Sequence, residues 1–533
     1  MNGIGAAAPV PVSPISSYKS RKEAFVSDLS GGSILEINLV TLVAPVRITV
    51  SPVKPCYSSF KQLAVFLWSV LQARRRFFTP YTATALTTDF LLNICAILFA
   101  ITSYSSAPAL LNLLLFLPSI VILLLPSDNT VHASTKPSKT TKDASAKNAS
   151  VTPTIPQRPF LTSYRGAMMI VTCLAILAVD FPIFPRRFGK CENWGTSLMD
   201  LGVGSFVFSA GIVAARPLLK PKLSPNKGSP LKDTFGSALV GSLRHALPLF
   251  VLGLIRLWSV KGLDYAEHIT EYGVHWNFFF TLGFIPPFVA LADSILQYLP
   301  LSNDTLAILI AAIYEGVLDN TSLTAYVFLA PRTDLLSKNR EGICSFIGYL
   351  AIFLSGRGTG LVVLKPSTPP RDKSKFAATS AAYKDRKTLL QSLVITAVAY
   401  SIIYIILTQP LLLGLSLDVS RRLANLPYVL WIAAFNNAQL VLFCAIETFV
   451  LPEAYTPQEA SVTKETAPRI MQAFNSNGLV VFLIANLGTG LVNLTVNTLD
   501  RTAMEGMGIL MLYAASVTGL ALGLDRSGIK IKL

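Results

Sequence analysis

The fold class this sequence predicts is an all-α polytopic membrane protein with about thirteen transmembrane helices. Three observations predict it. Of 533 residues, 52% are hydrophobic and only 14% charged, with a mean hydropathy of +0.53; no water-soluble domain of this length needs so much apolar surface. The apolar residues gather into runs of roughly the 20 residues a bilayer crossing requires. Lys and Arg crowd instead into a few loops between those runs, the asymmetry that orients membrane proteins.

In chain order, the N-terminus is polar and contains Pro and Ser, with no cleavable signal pattern, so the spans themselves are expected to direct insertion. Residues 34–46 and 58–72 are short apolar stretches separated by polar sequence from Arg47 to Ser59. One span divided by an insertion near 46–61 accounts for this, as do two poor spans; the first is adopted here. Spans then follow near 88–105, 107–125, 166–182, 197–217, 236–259, 275–294, 305–330, 343–364, 388–408, 426–450, 478–499 and 506–524. Glu315 and Asp319 interrupt the seventh of these. The segment 126–165, rich in Ser, Thr and Lys, reads as a disordered loop. Counting spans puts it on one face with the basic segments 216–234 and 365–388, hence in the cytoplasm, and the C-terminus falls on that face too. The whole of 1–533 reads as one multi-span domain.

The net charge of +16 comes without a folded basic domain, which leaves no nucleic-acid reading. Six cysteines (Cys56, Cys95, Cys173, Cys191, Cys344, Cys444) show neither metal spacing nor a disulfide framework. Sequons stand at Asn148, Asn303, Asn320 and Asn493; the first falls in a cytoplasmic loop and the last within a span, so neither is expected to carry glycan.

The polar islands are more informative. Asp180 closes one apolar run, and Pro182 and Pro185 break the helix before Arg186, Arg187 and Lys190. Those cations lie on the outer face, against the charge rule. A carboxylate at a helix C-terminus is repelled by the helix dipole and seeks a cation. Asp180 and Lys190 can meet if the loop folds back, either to tidy a helix end or as general base and electrostatic stabiliser. Thr196 or Ser197 caps the next helix, with Asp200 in its first turn, where negative charge is favoured. Gly202, Gly204 and Gly211 permit close helix packing. Glu267, Glu271 and His275 stand four apart and share a face if helical. They suggest a polar site at the membrane surface with Asn277, or interfacial anchoring with Tyr272 and Trp276, and only weakly a metal site. Arg256 lies within a span and must find a partner or snorkel. Asn436, Asn437 and Gln439, and the stripe Asn486, Asn493, Asn497, either bond between helices or line a cavity for a polar head group.

At these residues the chain resembles the fungal GPI-anchored wall transfer protein family, the inositol acyltransferases of GPI-anchor biosynthesis. The matching text includes Lys22-Glu-Ala-Phe-Val-Ser-Asp28, Ser33-Ile-Leu-Glu-Ile-Asn38 and Asp180 through Asp200. It continues with Glu271-Tyr-Gly-Val-His275-Trp-Asn277, Ala330-Pro-Arg332-Thr-Asp334, Asn339-Arg-Glu-Gly342, Asn475-Ser-Asn-Gly478 and Asn486-Leu-Gly-Thr-Gly490-Leu-Val-Asn493. The departure is the stretch from Val46 to Lys61. The resemblance implies thirteen spans, the N-terminus lumenal and the C-terminus cytoplasmic, in the endoplasmic reticulum membrane. It implies transfer of a palmitoyl group from palmitoyl-CoA, a co-substrate rather than a bound cofactor, to the inositol 2-hydroxyl of glucosaminyl-phosphatidylinositol. Asp180 and Lys190 match the positions held to be catalytic, with Asp200 as the competing carboxylate. On that expectation Arg186, Arg187 and Arg332 meet substrate phosphates, and Arg256, His275, Asn277, Asn486 and Asn493 line the site. No nucleophile elbow is visible, and transfer without a covalent intermediate needs none: a base, an oxyanion stabiliser and two positioned substrates are sufficient. A lipid transporter or flippase and a non-catalytic subunit of a GPI-pathway complex are the alternatives.

Overall fold

The computed structural model describes residues 14–41, 60–126, 155–156, 158–223, 235–261, 269–366, 375–410, 416–451 and 466–529. Most of the expected insertion near 46–61, most of the loop 126–165, Asn148 and Glu267 therefore lie outside the described residues. Among the described residues every regular element is a helix, as expected of a chain that must satisfy its backbone inside a bilayer.

The first three helices are α1 (Pro14–Val26), α2 (Ile34–Thr41) and α3 (Phe60–Arg75). Next come α4, Ala83–Ile101 with a π-helical stretch inside it, and α5 (Pro108–Leu124). Then follow α6 (Pro159–Ala178), α7 (Leu198–Ala214), α8 (Arg216–Leu223), α9 (Phe235–Lys261) and the single turn α10 (Ile269–Tyr272). The central stretch holds α11 (Phe278–Tyr298), α12 (Asn303–Asn320), α13 (Leu323–Leu329), α14 (Leu335–Lys338) and α15 (Arg340–Val363). The chain closes with α16 (Lys375–Thr408), α17 (Leu426–Val450), α18 (Arg469–Ser476), α19 (Gly478–Thr495) and α20 (Ala503–Arg526).

Ten of these are long and apolar enough to cross a membrane, or eleven if the bent pair α12–α13 is one span. The multi-span all-α architecture read from composition is therefore the architecture observed. Three boundaries move. Helix α6 starts at Pro159, inside the stretch expected to be loop, because Pro159 suits the first position of a helix and Glu447 receives the backbone N–H of Phe160. Helix α19 ends at Thr495, so Asn497 drops out of the amide stripe into a turn. The run 305–330 is broken: α12 and α13 meet at 77°. Glu315 explains itself there. Its carboxylate accepts the N–H of Leu426 at 2.8 Å and an amide N–H of Asn425 at 3.2 Å, satisfying the otherwise orphaned start of α17.

Helices α6, α7, α15 and α17 form the buried centre, and α9, α16 and α19 present long apolar faces such as Leu254, Ile395 and Leu491 outward. The α7–α15 seam is close because glycines face carbonyls: a Cβ at Gly211 would strike the Phe353 carbonyl, and one at Gly356 that of Phe208. Gly204 makes room for the Ile432 side chain of α17, whereas Gly202 has nothing against it and lines a cavity. The midspan amides bond between helices: Tyr164 donates to Asn436 at 2.7 Å, Thr359 to Asn437 at 3.0 Å, and Gln439 to the Thr41 carbonyl at 3.0 Å.

Candidate active site

At one end of the bundle the loops that follow α6, α10, α14 and α16 are bonded to one another. Val274 N–H donates to the Lys338 carbonyl, Gly195 N–H to that of Val419, and Glu192 N–H to that of Leu29. Beneath them lies a cavity of about 540 Å³. Its polar lining includes Lys22, Asp180, Lys190, Glu192, Arg256, Glu271, Asn277, Arg421, Asn486 and Asn493. Its apolar walls come from α6, α7, α11 and α19, with Ile176, Val203, Phe206, Phe278 and Phe482 among them.

Asp180 enters this cavity because α6 stops two residues earlier. The carbonyls freed where Pro182 and Pro185 prevent helix continuation need donors, and Arg186 supplies them, bonding to Val179, Phe181 and Phe184. Its guanidinium also stacks on Phe25 of α1, 3.7 Å from the ring centroid. Burial pushes the Arg186 guanidinium down to about 10, against the charge of Asp180. Arg186 is thus a structural clamp, not a group facing the cavity. Arg187 is likewise taken, by Glu36 of α2 at 2.6 Å.

Asp180 and Lys190 share the cavity but are not paired with each other. Asp180 accepts an amide N–H of Asn493 at 2.9 Å and has the Lys22 ammonium at 3.5 Å. Lys190 donates to Glu271 at 2.7 Å. Glu271 also faces Arg421 at 3.5 Å, and Arg421 holds Asp200 at 2.6 Å. The Lys190 ammonium is therefore the outer end of a row of alternating charges running into the protein. Burial works against the charge of Arg421, but the carboxylates of Glu271 and Asp200 outweigh it and hold this guanidinium well above its usual value.

Asp200 is fully buried at the foot of that row and does not reach the cavity. It accepts from the Ser197 hydroxyl and the Cys191 N–H, while Ser197, rather than Thr196, caps α7. Burial and the Asp200 carboxylate push the Cys191 thiol up. The part of the expected face that is described, Glu271 with His275, does not form, because Gly273, at φ 109°, ends the turn α10 after Tyr272. Glu271 alone of the described pair points inward; the His275 backbone N–H is held by Asn339 at 2.8 Å, outside the cavity. Arg332 is also elsewhere, bonded to the buried Glu341 that Arg422 shares. Asn277 caps α11 from the cavity wall and ties α9 through the Gly253 carbonyl. Of the residues the sequence singled out, Asp180, Lys190, Arg256, Glu271, Tyr272, Trp276, Asn277, Asn486 and Asn493 are among those brought together.

Two participants were missed. Lys22 opens the first of the motifs that carry the resemblance, but it precedes any apolar run and was given no role there. Arg421 carried a usable signal: with Arg422 it stands in a loop that the count of spans puts on the same face as Arg186, against the same charge rule. Among the described residues no group of three His, Cys, Asp or Glu is arranged to hold a metal.

Fold and site together define a multi-span membrane protein with a charged cavity walled by apolar helices at one end of its bundle. The GWT1 family model matches residues 18–524. The chain is 52% identical over 523 residues to GPI-anchored wall transfer protein 1 of Gibberella zeae, covering 97% of this chain and 99% of that one. It is 41% identical over 523 residues to the Yarrowia lipolytica protein of that name (97% and 100% covered) and 39% over 535 residues to that of Saccharomyces cerevisiae (97% and 100%). The chain belongs to the GWT1 family, as its motifs suggested.

Proposed function

We propose that this protein acts in GPI-anchor biosynthesis, in the endoplasmic reticulum membrane, as an acyl-CoA-dependent inositol acyltransferase. Its substrates are palmitoyl-CoA and glucosaminyl-phosphatidylinositol, and the acyl group goes to the inositol 2-hydroxyl. The observation that carries the reading is that Asp180 and Lys190 line one apolar-walled cavity while each is oriented by a different partner. A neutral hydroxyl is a poor nucleophile, so Asp180 takes its proton as the oxygen attacks the thioester carbonyl. The Lys190 ammonium has three donors, of which Glu271 engages one, and another meets the developing oxyanion. Collapse breaks the carbon–sulfur bond, the coenzyme A thiolate leaves, and the proton held by Asp180 returns to it. The apolar walls suit an acyl chain, and the relatives' name as transfer proteins agrees with a transferase.

The test is acyl transfer by detergent-purified protein given palmitoyl-CoA and a glucosaminyl-phosphatidylinositol analogue, with Asp180→Ala and Lys190→Ala alongside. Product from wild type alone supports both the reaction and its residues. Product from all three moves the catalytic centre. No product from folded wild type that binds the lipid favours a transporter or a non-catalytic subunit.

A further inference from the structure

We infer that Lys22 receives the phosphodiester of the lipid substrate. The inference rests on the acyltransferase reading for the identity of that lipid and on the cavity for the rest. In an inositol phospholipid the phosphate is on ring carbon 1 and the accepting hydroxyl on carbon 2. The two are vicinal, so a base that holds the hydroxyl has the phosphate immediately beside it. The cation that reads the phosphate must therefore stand next to the base.

Arg186, Arg187 and Arg421 are excluded by their geometry. Arg186 is bonded to three backbone carbonyls and Arg187 to Glu36. Arg421 lies between Asp200 and Glu271. Lys22 is where the chemistry requires a cation: its ammonium is 3.5 Å from Asp180 Oδ1 and 2.7 Å from Asn493 Oδ1, and its side chain is 15% exposed on the cavity wall. An ammonium offers three donors and acts on phosphate as a point charge. Helix α1 is fixed independently by Arg21 on Asp500 at 2.7 Å and by Phe25 under Arg186. Lys22 can therefore turn from carboxylate to phosphate without moving its helix. Its charge balances Asp180 at 3.5 Å; with lipid present the phosphate shares that charge and Asp180 is left to its proton.

The experiment measures binding, independently of transfer. Full-length protein in detergent is titrated with short-chain phosphatidylinositol and with its uncharged phosphate methyl triester, for wild type, Lys22→Gln and Lys22→Arg, all checked by melting temperature. Wild type is expected to prefer the charged lipid by about tenfold or more, the value of one charge-assisted hydrogen bond. Lys22→Gln is expected to lose that preference by weakening on the charged lipid alone, and Lys22→Arg to keep most of it. In transfer assays Lys22→Gln should raise KM for the lipid and leave KM for acyl-CoA unchanged. A Lys22→Gln protein that still prefers the charged lipid as wild type does overturns the inference and assigns the phosphate to another cation, such as Arg256. Charge preference through Lys22 in a protein that transfers no acyl group keeps the inference and overturns the acyltransferase reading.

Discussion

Asn493 donates its amide to Asp180 at 2.9 Å, and its carbonyl oxygen accepts from Lys22 at 2.7 Å. One side chain on α19 thus orients both Asp180, just past the end of α6, and Lys22 of α1. Its position four residues after Thr489 and seven after Asn486 puts it on the cavity face of its helix.

If that orientation matters to the reaction, Asn493→Ala should lower kcat by about 10–150-fold, the value of one lost hydrogen bond to a charged group. Asp180→Asn, which removes the proposed base, should lower it by about 10²–10⁴-fold. Initial rates per mole of folded protein decide this. An Asn493→Ala enzyme as slow as Asp180→Asn would mean that Asn493 touches substrate rather than only the carboxylate.

The Lys190–Glu271 contact makes a second prediction. Residues in one charged row are coupled, so their substitutions do not add. Glu271→Gln and Lys190→Met should each reduce transfer, and the double variant should be little worse than Lys190→Met alone. Additive losses would show that Glu271 acts on the substrate independently of Lys190.

Asp200 should behave differently from Asp180. It is buried against Arg421 and anchors the capped start of α7. Asp200→Ala leaves Arg421 short of a buried partner, a loss of about 3–5 kcal/mol. The expected result is a lower melting temperature and less folded protein, whereas Asp180→Asn should melt close to wild type. A fully stable Asp200→Ala protein with no activity would contradict the supporting role given to Asp200 here.

The α7–α15 seam gives a prediction about stability alone. Gly356→Ala inserts a methyl group where the Phe208 carbonyl already lies. Overpacking of this kind costs about 1–3 kcal/mol, and Gly356→Val should cost more. The matched control is Gly202, which has open space beside it: Gly202→Ala should leave the melting temperature unchanged.

The spans were legible because a bilayer imposes a length and a composition on each helix separately, and neither depends on the neighbours. Asp180 and Lys190 were legible for a related reason, since charge beside a span is conspicuous. Their partners were not. Whether Lys190 meets Asp180 or Glu271 depends on how the loop after α6 folds against α10, and no periodicity records that. Arg186 misled because a cation out of place suggests a ligand, while the prolines that broke the helix had also freed the carbonyls it serves. The face expected through Glu271 and His275 failed on one residue, Gly273, whose backbone ends the turn between them.

The bond between Lys22 and Asn493 joins residues 471 apart. At about 5–20 residues per second, synthesis separates the emergence of the two by roughly half a minute to a minute and a half. Throughout that interval the bundle can insert span by span, yet Asp180 has neither its amide nor its ammonium correctly held. A chain cut short before α19 would therefore carry most of its membrane helices while the cavity lacked one wall and Asp180 lacked Asn493, so the C-terminal helices are the last pieces of a pocket whose first pieces are made hundreds of residues earlier.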